Sequence, residues 1–237
     1  MAFSSLHPSR LPPHRLLEPF MPTPSPHPMQ ITRPANAGHT DTGRTDTRPR
    51  GWLLGTLLLL GMAWACLSGQ AGVDGWRLLI RATARTSLLC FLLAYVAQAA
   101  VLTWPGPLTQ AWRRQRRTWG WLLVSSHALH AWGIVMLAEG APALFETLSP
   151  PASRWGPALA YGFIVLMGLT SFDRTAAWLG PKAWSRLHTW GSHFLWLSFL
   201  VAYARRVPLQ PVFLLPCVLL LAALAWRLWA RRHASQG

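Results

Sequence analysis

Residues 119–138 read WGWLLVSSHALHAWGIVMLA, twenty residues with no charged side chain and two histidines, His127 and His130, near their middle. A helix of twenty residues rises about 30 Å, the hydrocarbon thickness of a bilayer. A surface helix of a soluble domain would carry a charged stripe along such a length. This stretch has none, so it reads as a transmembrane helix. Outward from it, five more stretches read the same way: roughly Trp52–Ser68, Leu78–Trp104, Pro157–Ser171, Leu187–Tyr203 and Val207–Trp229. The expected fold is an all-α integral membrane protein, a six-transmembrane-helix bundle over residues 51–232. A disordered, proline-rich tail (1–50) precedes it and a short tail (233–237) follows.

Composition agrees with that division. Of 237 residues, 51% are hydrophobic and only 12% charged, where a soluble domain carries about 25% charged residues. Ten of the 20 prolines fall in residues 1–50, and all 15 tryptophans fall after them. The mean hydropathy of +0.24 averages these two unlike pieces. The tail is too polar to bury the surface that ordering requires, and it has no apolar core of a secretory signal. Its scattered histidines (His7, His14, His27 and His39) read as incidental. The net charge of +15 would fit a nucleic-acid binder only as basic stripes on a polar body. Here arginines punctuate apolar runs instead, and no nucleic-acid partner is expected. Cys66, Cys90 and Cys217 lie in three separate apolar runs, without the paired spacing of zinc or redox sites.

Charge sets the expected orientation. Arg44, Arg48 and Arg50, then Arg113, Arg114, Arg116 and Arg117, then Arg174, Lys182 and Arg186, then Arg227, Arg231 and Arg232 fall on one side of a six-span chain. The positive-inside rule makes that side cytoplasmic, with both termini on it. Arg77, Arg154, Arg205 and Arg206 face the other side, with Asp74, Glu139 and Glu146. Arg81 and Arg85, four residues apart on one helix face, can snorkel outward or meet an anion. The predicted location is a bacterial inner membrane.

Between the rims the ionisable side chains are His127 and His130 on the third span and His188 and His193 on the fifth. An ionisable group inside a bilayer is a functional hypothesis by default. Neutral imidazole needs no counter-charge and is the common axial ligand of haem iron. A lone membrane histidine is commonly a hydrogen-bonded packing residue, but four on two spans weaken that explanation. A proton relay would normally recruit Asp or Glu at mid-membrane, and none is present. Taking Arg117 and Arg186 as edge markers, His127 lies roughly 15 Å in, His130 roughly 20 Å, His193 roughly 10 Å and His188 roughly 3 Å. On that ruler His127 and His193 match best in depth.

A family pattern lies on the same residues. Arg116-Arg117-Thr118-Trp119-Gly120 leads to His127-Ala128-Leu129-His130. Leu169-Thr170-Ser171-Phe172-Asp173-Arg174 follows, then Trp184-Ser185-Arg186-Leu187-His188. Over about residues 75–230 the chain resembles the ferric reductase-like transmembrane domain, and is most similar to its bacterial branch of haem-binding membrane subunits of the methionine sulfoxide reductase type. The resemblance implies a b-type cytochrome with one or two haem b groups held from the third and fifth helices. The family's third-helix ligand falls on His130 and its first fifth-helix ligand on His188. Arg116 falls where wider members place another ligand, fourteen residues before His130. The second fifth-helix ligand should lie thirteen residues after His188, and Val201 stands there instead. His127 and His193 are extra imidazoles that can substitute, so depth and family register favour different pairs.

The expected function is electron relay across the membrane, as the electron-transfer subunit of an oxidoreductase system. Arg116, Arg117 and Arg186 would compensate haem propionates on the cytoplasmic side, and Arg81 or Arg85 on the other. The sequence has no Gly-rich dinucleotide turn after a strand, so flavin is not expected on this chain. A separate reductase or quinol would donate electrons and a separate periplasmic protein would accept them. The competing expectation is a haem-free membrane scaffold or interaction protein with the same helical fold.

Overall fold

The computed structural model describes residues 48–235, so the proline-rich tail lies outside the described residues as far as position 47. The described chain is helical, without a strand. It runs α1 (Arg48–Gly69), α2 (Gly72–Thr103), α3 (Pro107–Arg114), α4 (Arg116–Gly140), α5 (Pro142–Leu148), α6 (Trp155–Leu169), α7 (Asp173–Leu179), α8 (Pro181–Ala204) and α9 (Leu214–Ala234), with 3₁₀ turns at Pro151–Ser153 and Pro211–Phe213. Pro107, Pro142 and Pro181 each start a helix, where the missing N–H costs nothing and φ is already set. Gly72 (φ 64°) and Gly180 (φ 78°) take the left-handed turns that lead into α2 and α8, a conformation cheap only for glycine.

Five of the predicted stretches fall on α1, α2, α4, α6 and α8, and the sixth, Val207–Trp229, is helical only from the 3₁₀ turn at Pro211 onward; they differ as membrane spans. Residues 51–69, α2, α4 and Pro211–Ala234 are long and apolar enough to cross a bilayer. Pro151–Leu169 reaches that mark only together with α7, from which it is bent by 106°, giving four such helices or five with the bent pair. α8 has the length, at 24 residues. His188, Thr189, Ser192, His193 and Ser198 lower its apolarity, so it is not among those that qualify. The polar residues that make α8 interesting are the ones that weaken it as a span.

Helix α2 is the axis. It packs most extensively on α4, and also on α1 and α9, while α4, α6, α8 and α9 continue neighbour to neighbour around the bundle. The α2–α4 seam is polar and close. Ser87 Oγ donates to Ser126 Oγ (2.9 Å), and Ser126 Oγ donates to the Thr83 carbonyl (3.0 Å). Gly133 on α4 fits against Ile80 and Leu79 on α2. Small and hydroxyl residues are what apolar helices use to approach closely. Outside the seam, α1 turns Leu53, Leu54, Leu57, Leu58 and Trp64 outward, a contiguous apolar face that water would penalise and lipid would not.

The interior between α2, α4, α6 and α8 is filled by rings. Phe91 stacks on Tyr95 (centroids 5.1 Å) and meets Phe199 (5.3 Å), which in turn meets His127 (5.8 Å). Leu195 and Leu220 lie buried beside them in the same core.

The α1–α2 turn is the least tolerant point of this packing. A Cβ at buried Gly75 would run into the Gln70 carbonyl oxygen, a backbone atom with nowhere to retreat. Gly75→Ala is therefore expected to destabilise the bundle by about 1–3 kcal/mol. Gly61→Ala, in open space on exposed α1, should leave the melting temperature unchanged or higher. Thermal unfolding of the detergent-solubilised protein, followed by tryptophan fluorescence, compares the two.

Candidate functional site

The four histidines sit on α4 and α8 as predicted, at different levels. His130 is the most constrained. Its Nδ1 lies 3.0 Å from the Ile80 carbonyl and 3.0 Å from Thr83 Oγ1. Thr83 Oγ1 already donates to the Leu79 carbonyl at 2.7 Å, so it can only accept from His130. Both contacts therefore place the proton on Nδ1 and leave Nε2 with its lone pair. That is the outer-shell arrangement that fixes the tautomer and raises the basicity of a metal-ligating histidine.

His127, one turn earlier, has its ring 5.8 Å from that of His130 and between Tyr161 of α6 (5.6 Å) and Phe199 of α8. Its Nδ1 is buried without a hydrogen bond; the Leu123 carbonyl one turn back is near but out of line. The Tyr161 hydroxyl is also buried and unpartnered. His193 meets α2 instead: its Nδ1 is 3.3 Å from the Tyr95 hydroxyl, with the rings edge to face. His188 stacks on Trp184 (4.3 Å), and its Nε2 lies 3.1 Å from Thr170 Oγ1. Thr170 Oγ1 donates to the Leu166 carbonyl at 2.7 Å, so it accepts the Nε2 proton and His188 keeps its lone pair on Nδ1.

The depth-matched pair His127–His193 does not form. On α8 the neighbour of His127 is Phe199, six residues past His193 and about 9 Å further along the axis. Arg117 and Arg186 mark different levels: counted back ten residues from the His127–Phe199 contact, Arg117 lies level with Thr189 rather than with Arg186. The family pair His130 and His188 is further apart still, each held by a different neighbouring helix, α2 or α6. Val201 is exposed. Among the described residues, no three His, Cys, Asp or Glu side chains gather as a metal cluster.

The arginines sort into spent and unspent. Arg117 pairs with Asp173 (3.0 Å), Arg77 with Asp74 (3.3 Å) and Arg154 with Glu146 (2.7 Å). Arg186 and Arg81 are exposed, and Arg116 stands exposed at the first turn of α4. Arg227 was counted in the sequence only as a topology marker. It is 6% exposed, donates to the Tyr95 carbonyl (3.0 Å) and lies over the Tyr95 ring (4.3 Å). Its Nε is buried and unpartnered, and among the described residues no carboxylate pairs with it. Arg116 and Arg231 are close enough to add their charge. The signal was present: Cys217, Leu220, Ala223, Arg227 and Ala230 recur every three or four residues, the buried stripe of α9. A cation on that stripe had to point inward.

The four imidazoles and the guanidinium thus lie at different levels between the basic end of the bundle and its far end. They form two polar stations, Arg227–Tyr95–His193 with His188 nearby, and Thr83–His130–His127. The first holds a guanidinium that no carboxylate pairs with among the described residues, and the second holds two imidazoles and a hydroxyl. No protein-family model, curated protein or solved structure matches the chain.

Thr83 is fully buried and is the acceptor that orients His130. Thr83→Val keeps the shape and removes the hydroxyl, and is expected to cost about 1 kcal/mol. Thr83→Ser should recover most of that loss. Thermal unfolding of the two variants reads the difference.

Proposed function

We propose that the chain is a six-span membrane b-type cytochrome with both termini on the cytoplasmic face of a bacterial inner membrane. It would relay electrons between a separate reductase or quinol and a separate periplasmic acceptor, through haem b held from α4 and α8. The observation that carries this reading is His130, whose Nδ1–H is spent on Ile80 and Thr83 so that Nε2 stays basic. Haem asks a protein for a basic imidazole nitrogen and for cations near its propionates. His130 has the first property and Arg227 the second, at different levels of the bundle, and the buried Nδ1 of His127 lacks a hydrogen-bond partner. His188 would first have to release Thr170 or bind through Nδ1.

When bound, haem supplies a one-electron carrier in a low-dielectric site. The chain's own part is simpler. Ile80 and Thr83 hold a proton on Nδ1 of His130, the rings of Phe91, Phe199 and Tyr161 exclude water, and Arg227 with Arg116 and Arg231 offers positive charge to carboxylates at the basic end. The six-span topology is supported by the antiparallel α2–α4 seam and by the collection of Arg116, Arg227 and Arg231 at one end.

A second reading, a haem-free membrane scaffold, also has an observation in its favour. His188 and His193 already have protein partners, and aromatic rings fill the space between α4 and α8.

A reduced-minus-oxidised spectrum of membranes containing the protein separates the two readings. The cytochrome reading expects a Soret band and the α band of a low-spin b haem, and their absence from a clean preparation favours the scaffold. His130→Ala is expected to lose most of the haem-to-protein ratio, and single changes at His127, His188 and His193 locate the second ligand. Unchanged haem in all four variants overturns the ligand assignment. Arg227→Met should lower haem retention only where haem sits at the His193 level, and should leave the haem-free protein as stable or more so, because an incompletely paired buried charge is costly.

A further inference from the structure

We infer that the bundle binds one anionic phospholipid at its far end, in the cleft closed by Arg85, Tyr203 and the start of α9. The site rests on the bilayer part of the reading above and not on haem. The cleft has a volume of about 400 Å³ and is lined by Arg85, Leu88, Tyr203, Phe213, Leu215 and Leu219. Its walls are apolar except for one guanidinium and one phenol. Arg85 is exposed, and among the described residues no carboxylate pairs with it. Tyr203 is 6% exposed, and its hydroxyl is buried with no hydrogen-bond partner. The charges of Arg85 and Arg206 both reach that hydroxyl. A cationic mouth beside an unmatched buried donor calls for an anionic oxygen.

The depth fits a lipid headgroup. From Arg85 to Thr103 the helix advances eighteen residues, about 27 Å, close to one hydrocarbon thickness. Thr103 bonds to Trp226, and Trp104 packs on Trp226, at the opposite end. Arg85 shares its cleft with Tyr203 and Phe213, which flank the turn between α8 and α9, so it stands at the far end of that hairpin, where a guanidinium can snorkel to a headgroup. Leu215 and Leu219, four residues apart on α9 and both exposed, continue the cleft as an apolar track below the guanidinium. A phosphate at Arg85 with an acyl chain along that track matches charge with charge and apolar surface with apolar surface. A free phosphate would use the mouth and leave the track empty.

Native mass spectrometry of the full chain in detergent tests this, with phosphatidylglycerol, phosphatidylcholine and inorganic phosphate as probes. One phosphatidylglycerol should be retained in preference to phosphatidylcholine, and Arg85→Gln should weaken it about fivefold, the worth of one basic residue toward anionic lipid. Tyr203→Phe should weaken it too, and Arg85→Lys should restore part of the loss. Arg81→Gln, one turn away and outside the cleft, should change nothing. Equal retention of the two lipids, equal losses in the Arg81 and Arg85 variants, or full displacement by inorganic phosphate overturns the assignment. If Arg85→Gln does not fold, Leu219→Trp fills the track instead, and undiminished retention in it has the same consequence. Haem content, read from the spectrum of the same samples, reports separately on the cytochrome reading.

Discussion

The polar seam between α2 and α4 is the constraint on which the other helices depend. Apolar helices in lipid gain little by hiding Leu from solvent, so their association rests on close packing and on hydrogen bonds that water does not contest. Here the Ser87 hydroxyl donates to that of Ser126 and Ser126 to the Thr83 carbonyl, all three residues buried, which ties the two helices together. Gly133 lets the same two helices close at the adjoining turn. A shift of one residue in this register would leave two buried hydroxyls and one imidazole unmatched. Each unmatched group costs about 1–3 kcal/mol, enough to choose one register over its neighbours. With α2 and α4 locked, α1 occupies the groove they share, and α9 and α8 are placed by the aromatic side of α2.

His130 belongs to that seam before it belongs to any cofactor site. Its proton position follows from Thr83 and Ile80, which face it for structural reasons. The element that sets the helix register therefore also leaves a basic Nε2 available. Arg227 has the same double character. It braces α9 to α2 through the Tyr95 carbonyl and ring, and its one unmatched nitrogen leaves capacity for an anion. Removing a partner from a buried charge costs more than never having buried it. A guanidinium kept on the inward stripe of α9 is thus maintained against a free-energy gradient that favours Leu or Met.

Helix positions were legible in the sequence because apolar length is a local property. Arg116–Gly140 and Trp155–Leu169 emerge within a few residues of their expected limits. The candidate histidines were legible as well, since polar residues in an apolar run stand out without knowledge of the fold. Their mutual arrangement was not, because it depends on the axial offset between α4 and α8, and these helices reach one another only through side chains such as His127 and Phe199. Two arginines assumed to share a depth fixed that offset incorrectly. The inward face of Arg227 was readable from its spacing to Leu220 and Ala223, but charge near a terminus was taken for topology. The contact at Thr83 left no pattern in the sequence, and Thr170, though it stands in the Leu169–Arg174 motif, gave no sign that it would meet His188.

If the chain is a cytochrome as proposed, the axial offset also bears on how many haem groups it can hold. Tyr95, which meets His193, and Thr83, which meets His130, are twelve residues apart on α2, about 18 Å along its axis. The two imidazoles therefore occupy separate levels, and each would need its own partner. At the outer level α8 offers Val201, which cannot ligate, and Tyr203, whose hydroxyl points to the question of lipid rather than iron. At the inner level α4 offers Trp121, which cannot ligate, and nearer its start Arg116, a cation. Whatever ligates beside His130 must then come from its own neighbour His127 or from outside α8, and an iron at the inner level would rest on α8 alone. On the cytochrome reading a chain built this way favours one centre over two, at His130, whose Nε2 the Thr83 contact leaves free, rather than at His188, whose Nε2 lies against Thr170.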